Sequence, residues 1–203
     1  ISRLNARALQ QAITVSPHTY KVLHFALRLS AMTEGVFDIT AAHAASIRAQ
    51  PNWQAVQLLP QNQVRFTQAV CIDVSGVAKG YAVDCAIATL KTYGLTQALV
   101  NAGGDLRRYG TGEDVIHVRN PNQPSQLLPL LSLGEGALAT SANYFAPNAI
   151  VHPLQPSYQP AGSVSVLADT CMLADALTKV ALLQGETAQP LLQNLGASAC
   201  WHV

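Results

Sequence analysis

At 203 residues the chain is long enough to bury a substantial core as one domain or two small lobes, with one compact unit as the default. Nearly half of it (49%) is hydrophobic, only 11% is charged and the formal net charge is +1, so no broad basic surface exists to bind a nucleic-acid backbone. The longest apolar runs, such as 127–133, are broken by Pro129 and Ser132 and fall short of the roughly 20 residues of a membrane span, which predicts a soluble protein with no transmembrane segment.

Ser16 and Pro17 supply an N-cap and a first-turn proline, and Val22, Ala26, Leu29 and Met32 then recur at helical spacing before a stop at Gly35. A helix ending near Thr33 is predicted. Alternating stretches at 54–59 and 64–66 around the turn 60–63 read as a hairpin leading into an apolar strand at 70–73. A turn with Ser75 and Gly76 opens a helix over about 77–93 that Gly94 stops, a strand at 98–101 follows, and Gly103, Gly104 and Asp105 turn the chain. Further strands are predicted at 106–110, 115–119, 127–133, 137–141 and 163–167. Asp169 or Thr170 then caps a helix with Leu173, Leu177 and Ala181 on its apolar face and a stop at Gly185. Thr187 begins a short helix ending at Gly196, and 199–203 closes as a strand. Segments 120–126 and 147–160, rich in Pro, Asn and Gln, are predicted loops, and no internal repeat is present. The sum is an α+β fold.

The four cysteines, Cys71, Cys85, Cys171 and Cys200, show no C-x-x-C spacing and read as buried small hydrophobes. The six histidines, at 18, 24, 43, 117, 152 and 202, lack ligand spacing, so no zinc site is expected. The chain opens at Ile1 with no initiator methionine and no charged-then-apolar leader, which implies a targeting segment removed or never included.

The stretch most built for chemistry is 73–110. Ser75-Gly76-Val77-Ala78-Lys79-Gly80 is a strand-to-helix turn whose free N–H groups and dipole suit a phosphate, with Lys79 as a point charge, though it is neither G-x-G-x-x-G nor a Walker A loop. Gly80 inside a helix costs about 1 kcal/mol relative to alanine, so another backbone or a ligand passes close by. Asp73 and Asp84 are either solvated caps or polar site residues. Asn101-Ala102-Gly103-Gly104-Asp105 would let the backbone turn sharply against a neighbouring element. Val36-Phe37-Asp38 places a ring and a carboxylate at a helix exit, suited equally to stacking and ribose binding or to a buried Phe beside a capping Asp. Thr140 and Ser141, before Asn143 and Tyr144, cluster hydroxyls at a strand end. Asp175 and Lys179 stand at i and i+4 beside Thr178, which ordinarily marks a surface ion pair worth a few tenths (~0.3) of a kcal/mol.

Taken in order, GVFDIT, DVSGVAKGYAVD, LVNAGGDLRRYG, ALATSANY and ADALTKVALLQG resemble the ApbE family of flavin transferases, formally FAD:protein FMN transferases. The resemblance runs from Ser2-Arg3-Leu4-Asn5 to Gly185. It implies one ApbE-like (T-fold-like) domain of mixed sheets and packed helices over 1–203, lacking the family's amino-terminal strand region. It further implies FAD bound with magnesium (Mg2+), FMN moved through its phosphate onto a threonine or serine hydroxyl of an acceptor flavoprotein, and AMP released. Under it Val36, Phe37, Asp38 and Ile150 line the flavin cavity, Asp73 and Lys79 contact FAD, and the metal is held at Gly76 (through its carbonyl), Asp175 and Thr178, an oxygen-rich set suited to magnesium. The family's habit places such proteins at the bacterial cell envelope or periplasm.

Two departures stand out. The threonine that the family carries four residues after its metal-binding aspartate is here Lys179, whose ammonium cannot coordinate magnesium and instead suits the cation's place beside Asp175. The family's H-I-I-D-P-x-T-G stretch aligns with 149–156, its histidine becoming Ala149 and its aspartate His152, so that His152 is either a displaced catalytic base or a solvated loop histidine. Three functions follow: an active transferase, a non-catalytic flavin-binding or scaffold relative without the magnesium site, and a hydrolase of FAD to FMN and AMP.

Overall fold

The computed structural model describes residues 1–47, 49–120, 123–142, 150–155, 157–158, 160 and 162–202. Its contacts divide the chain into two compact units, Ile1–Val77 with Asn148–Gln159, and Ala78–Pro147 with Pro160–Val203. No helix among the described residues is long and apolar enough to cross a membrane.

In the first unit, α1 (Ser2–Arg7) precedes α2 (Pro17–Met32). Ser16 Oγ accepts the N–H of Thr19, Pro17 takes the first turn, and Val22, Leu23, Ala26 and Leu29 form the buried face. Gly35 ends the run at φ +86°, a conformation that costs a β-carbon-bearing residue more. A four-residue α3 (Ala41–Ala44) follows. Strands β1 (Ile13–Thr14), β2 (Val56–Leu59) and β3 (Gln63–Phe66) form an antiparallel sheet in the order β1-β3-β2, with Val64 opposite both Ile13 and Leu58.

The strand expected at 70–73 is absent. Ile72 is buried, but its backbone is satisfied by one side chain: Asn5 Nδ2 donates to the Ile72 carbonyl at 2.9 Å and Asn5 Oδ1 accepts the Ile72 N–H at 2.9 Å. The Asp73 N–H goes to the Ile39 carbonyl at 2.7 Å. With its hydrogen bonds met by a side chain and a loop, this apolar segment is extended without a ladder partner.

The second unit has a five-stranded antiparallel sheet in the order β10-β9-β8-β5-β4. Its strands are β4 (Ala98–Ala102), β5 (Asp105–Tyr109), β8 (Gly136–Ala142), β9 (Ser163–Ala168) and β10 (Ser198–His202). A separate hairpin pairs β6 (Asp114–Asn120) with β7 (Gln123–Leu133), with register irregularities at 116/117 and 119/120. The pairing runs to Asn120 opposite Gln123, so the loop expected at 120–126 is largely strand. The polar composition reads as a loop because Gln123, Ser125 and Gln126 stand exposed on a paired strand. Of the loop expected at 147–160, residues 147–149, 156 and 159 lie outside the described residues.

Alternation along the sheet separates two faces. Leu106 and Leu138 pair across β5 and β8 and pack with Ile116 and Leu133 of the hairpin. Ala137, one residue from Leu138, points the other way and packs with Val83 and Cys171. Val83 belongs to α4 (Ser75–Thr92) and Cys171 opens α5 (Cys171–Gln184), so helices cover that face. Helix α5 is capped by Thr170 and buried nearly all round; Leu173, expected on its apolar face, is only half-buried, while Ala174, Leu177 and Ala181 are fully buried. A 3-10 turn and α6 (Gln189–Asn194) lead into β10, where the Trp201 indole N–H reaches the Ala181 carbonyl at 3.2 Å. Of the four free cysteines only Cys171 is fully buried, and Cys200, expected inside, is exposed on β10.

Replacing Asn5 with Ala removes both clamps on buried Ile72 and is expected to cost about 2 kcal/mol, lowering Tm by roughly 4–8 °C in a thermal melt. A melt within about 1 °C of the parent would show that the clamp contributes nothing.

Candidate functional site

In the second unit α4 and α5 touch at Gly80. A β-carbon there would lie 2.2 Å from the Cys171 carbonyl oxygen and 2.8 Å from Asp175 Cβ, so what passes close to this glycine is a neighbouring backbone. The approach lets the Gly80 N–H donate to Asp175 Oδ2 at 3.0 Å. One turn along α4, Asp84 joins three elements. Its Oδ1 accepts from the Arg107 guanidinium at 2.7 Å and the Cys171 N–H at 2.9 Å, and its Oδ2 accepts the Met172 N–H at 2.9 Å. Asp84 is therefore neither a solvated cap nor a ligand-facing carboxylate: it satisfies the first N–H groups of another helix and complements that helix's positive end.

Around this crossing sit two buried carboxylates and two lysines. Asp175 is wholly buried, contrary to the surface ion pair its spacing suggests, because α5 is covered on the side where Asp175 lies. Lys179 Nζ donates to Asp175 Oδ1 and, at 2.9 Å, to the Asp175 carbonyl. Thr178 Oγ1 donates to that same carbonyl at 2.6 Å and shares a hydrogen bond of 2.7 Å with Ser141 Oγ of β8. Asp105, 1% exposed at the start of β5, has its Oδ2 2.9 Å from Lys79 Nζ, an ion pair whose angles fall short of a hydrogen bond.

Asp105 was visible in the sequence only as part of a turn. The signal that marks it is strand alternation: Asp105 and Arg107 share the helix-facing side of β5, where each meets an α4 side chain of opposite charge. Gly103 and Gly104, at φ +66° and +97°, serve the turn by conformation, since a β-carbon on either would meet nothing within 4 Å. The Asn101 side chain closes that turn by accepting the Gly104 N–H at 3.0 Å.

Burial pushes the Asp105 carboxyl from 3.8 up to about 6, the Asp175 charge adds to the rise, and Lys79 and Lys179 pull it back. Burial likewise raises the Cys171 thiol, which disfavours a thiolate nucleophile there.

The other face of the sheet holds a cavity of about 710 Å³, within the range of small-ligand sites. Leu99, Leu106, Leu138, Ile116 and Val115 line it, with Asn101, Thr140, Ser163, His117 and Arg119 among them. Thr140 Oγ1 is bonded to Ser165 Oγ at 2.7 Å, which in turn meets His202 Nε2 at 2.9 Å, so the hydroxyls expected at a strand end tie strands together. Asn143, Tyr144 and Ala149 lie outside the described residues.

The remaining expected site residues belong to the first unit. Val36 and Phe37 are buried, the Phe37 N–H donating to Thr33 Oγ1 at 3.0 Å. Asp38 Oδ1 accepts from the Thr40 N–H and hydroxyl, both at 2.7 Å, and its Oδ2 accepts the Trp53 N–H at 3.1 Å. Burial raises its carboxyl and these three bonds oppose the rise. Asp73 Oδ1 accepts the Ser75 N–H at 2.7 Å at the head of α4, and its Oδ2 lies 3.8 Å from His43 Nε2. Gly76, in the first turn of α4, and Ile150 are half-buried. His152 is 7% exposed, not solvated; its Nδ1 accepts the Leu154 N–H at 3.2 Å, its ring meets Tyr158 edge-on, and burial lowers its basicity, keeping it neutral near pH 7. In that tautomer Nε2 carries the proton, so acting as a base requires release of the Leu154 bond.

The magnesium site implied by the resemblance falls on side chains whose oxygens already have partners. Each Asp175 oxygen is already engaged by an N–H donor, Thr178 Oγ1 is spent within the protein, and no group of three metal-binding side chains occurs among the described residues. Magnesium demands near-octahedral oxygen ligation, and these residues do not fit it.

The arrangement of helices on one face of an antiparallel sheet with a hairpin on the other is shared by solved structures of one class of protein. The crystal structure of the ApbE protein from Thermotoga maritima superposes with a TM-score of 0.84 at 24% identity, covering 98% of this chain and 77% of that one. Pseudomonas stutzeri flavinyl transferase ApbE, in its apo form, superposes at 0.82 with 20% identity, covering 98% and 73%. At these identities the likeness establishes the fold. Residues 1–201 match the model of the ApbE family, and the chain belongs to that family. It is similar to proteins named FAD:protein FMN transferase from Vibrio cholerae and Haemophilus influenzae, 25% identical in each case over 92% of this chain and 66% of the relative. The chain thus spans just under two thirds of the length of these curated relatives.

Two measurements check the site. Asp84→Ala leaves the Cys171 and Met172 N–H groups and Arg107 without their acceptor, an expected loss of about 3 kcal/mol in denaturant unfolding; a loss below about 0.5 kcal/mol would remove Asp84 as the brace. For Asp105, the folded state holds the proton up to about pH 6 and the unfolded chain releases it near 3.8, so this group makes stability fall as pH rises between those values. Urea melts across that window are expected to show a component of slope that Asp105→Asn abolishes, and an identical slope in the variant would assign the titration elsewhere.

Proposed function

We propose that this protein binds FAD and transfers its FMN portion to a threonine or serine hydroxyl of an acceptor protein, releasing AMP. The observation that carries the reading is the match of residues 1–201 to the ApbE family, alongside relatives named for that transfer. In the reaction the acceptor hydroxyl oxygen forms a new bond to the FMN phosphorus. The bond from that phosphorus to the bridging oxygen breaks, AMP leaves with that oxygen, and the hydroxyl proton passes to a base. Phosphoryl transfer of this kind asks a protein chiefly for positioning and for positive charge where the leaving phosphate gains negative charge.

The second unit supports that demand with Lys79, whose side chain is 43% exposed while its partner Asp105 is buried. A lysine held at its inner side and open on the other is suited to meet a phosphate as a point charge. The oxygens that would hold magnesium are engaged within the protein, which leaves Lys79 as the charge for the phosphate. The same reading proposes a place at the bacterial cell envelope, which rests on family habit alone.

Incubation with FAD and an acceptor protein is expected to give a covalent fluorescent acceptor band and one AMP per flavin attached. FAD binding without either product would make the protein a flavin-binding relative, and FMN with AMP but no labelled acceptor would make it a hydrolase. Lys79→Met is expected to lower transfer at least about 100-fold. Adding Asp105→Asn removes the buried charge that Lys79→Met leaves unpaired, and should restore stability but not transfer; restored transfer would reduce Lys79 to a structural role.

A further inference from the structure

We propose that Lys179 occupies the place of a divalent cation at Asp175, so that this protein excludes metal from the α4–α5 crossing and meets a diphosphate ligand there with Lys79 instead. The diphosphate part rests on the proposed FAD reading; the exclusion of metal stands on the geometry itself.

Three observations carry it. First, Asp175 is wholly buried, and a buried carboxylate needs a positive partner or strong donors. It has both within the protein: Lys179 Nζ on Oδ1 and the Gly80 N–H on Oδ2. Second, Lys179 is anchored twice, since the same ammonium donates to the Asp175 carbonyl one turn back, at 2.9 Å. An ammonium fixed by a carboxylate and a carbonyl of its own helix sits where an ion bound to those oxygens would sit. Third, the charges around the crossing already balance, Asp105 and Asp175 against Lys79 and Lys179, with Asp105 close enough to feel all three of the others. A dication would leave the buried group with two uncompensated positive charges and a metal-to-ammonium repulsion at short range.

The two ammonium groups together carry the charge of one dication. Their side chains differ in access: that of Lys179 is 18% exposed and that of Lys79 43%. Lys179 thus holds the buried carboxylate neutral from within, while Lys79 is open to a ligand. An ammonium brings point charge without the fixed octahedral geometry of magnesium, so it can stabilise a phosphate but imposes less order on one.

The test uses Mn2+ as the probe, read by electron paramagnetic resonance of the free ion, with no flavin present. The parent protein is expected to bind no Mn2+ at about 1 mM, whereas Lys179→Thr gains one saturable site that a further Asp175→Asn removes. Mn2+ bound by the parent at a site that Asp175→Asn abolishes would overturn the proposal. So would a Lys179→Thr protein that melts within a few degrees of the parent and still takes up no Mn2+. Should Lys179→Thr fail to fold, Lys179→Gln, which is one atom shorter, uncharged and keeps an N–H donor, carries the same expectation. In a second arm, FAD affinity is titrated by flavin fluorescence with EDTA and with Mg2+. The parent should change by less than about twofold, and Lys179→Thr should gain at least about tenfold from Mg2+. A tenfold gain in the parent would overturn the proposal. A parent that binds no FAD in either buffer would instead sink the FAD reading, leaving the Mn2+ arm to decide the role of Lys179.

Discussion

The second unit depends on one close approach. At Gly80 the backbone of α4 comes so near the first residue of α5 that a single methyl group would collide with the Cys171 carbonyl. The charged groups on the helix side of the sheet are arranged around this contact. It brings a main-chain N–H of α4 onto Asp175, puts Asp84 within reach of the α5 N-terminus, and sets Lys79 facing Asp105 on the sheet. The glycine lowers helix propensity locally by about 1 kcal/mol, and what it allows is a hydrogen bond to a carboxylate that would otherwise be a buried charge with one donor fewer.

Charge management follows from that geometry. Asp84, Asp105 and Asp175 all lie where helices pack on a sheet, and each is answered by a cation from a different position: Arg107 from β5, Lys79 from α4, Lys179 from α5 itself. Buried ion pairs of this sort are weak sources of net stability, because desolvation offsets their attraction. Their worth is in specifying one packing of helix on sheet, since any slip leaves a carboxylate unpaired in a dry place. Lys179 meets that electrostatic problem at Asp175 with a cation from the same helix.

Much of this architecture was legible in the sequence, and what escaped has physical reasons. The Ser16–Pro17 start and the Thr170 cap are local signals, decided by the chain's own first turns, and the structure has them. The strand expected at 70–73 failed because its partner is Asn5, a side chain some sixty-seven residues away, and no periodicity announces a side chain that impersonates a strand. The Asp175–Lys179 spacing was plain, but its burial depends on neighbouring elements rather than on α5, so a pair that reads as solvated is enclosed. Asp84 was singled out without a role because its donors begin a helix eighty-seven residues later. Asp105 reads in the sequence as the end of a two-glycine turn, whereas its partner is set by the strand it begins.

The β4–β5 turn has a further bearing on how this fold tolerates change in length. Along β5 the side chains alternate between Asp105 and Arg107 towards the helices and Leu106 towards the hairpin, and the two-glycine turn holds Ala102 opposite Asp105 and Asn101 opposite Leu106. An insertion or deletion that slid β5 by one residue would exchange the faces wholesale, sending two charges into the apolar packing against Ile116 and Leu133 and a leucine onto Lys79 and Asp84. Point substitutions in this turn act on one residue at a time; a change of its length acts on every side chain of the strand at once. Homologous chains that keep this charge pattern should therefore vary in turn composition far more readily than in turn length.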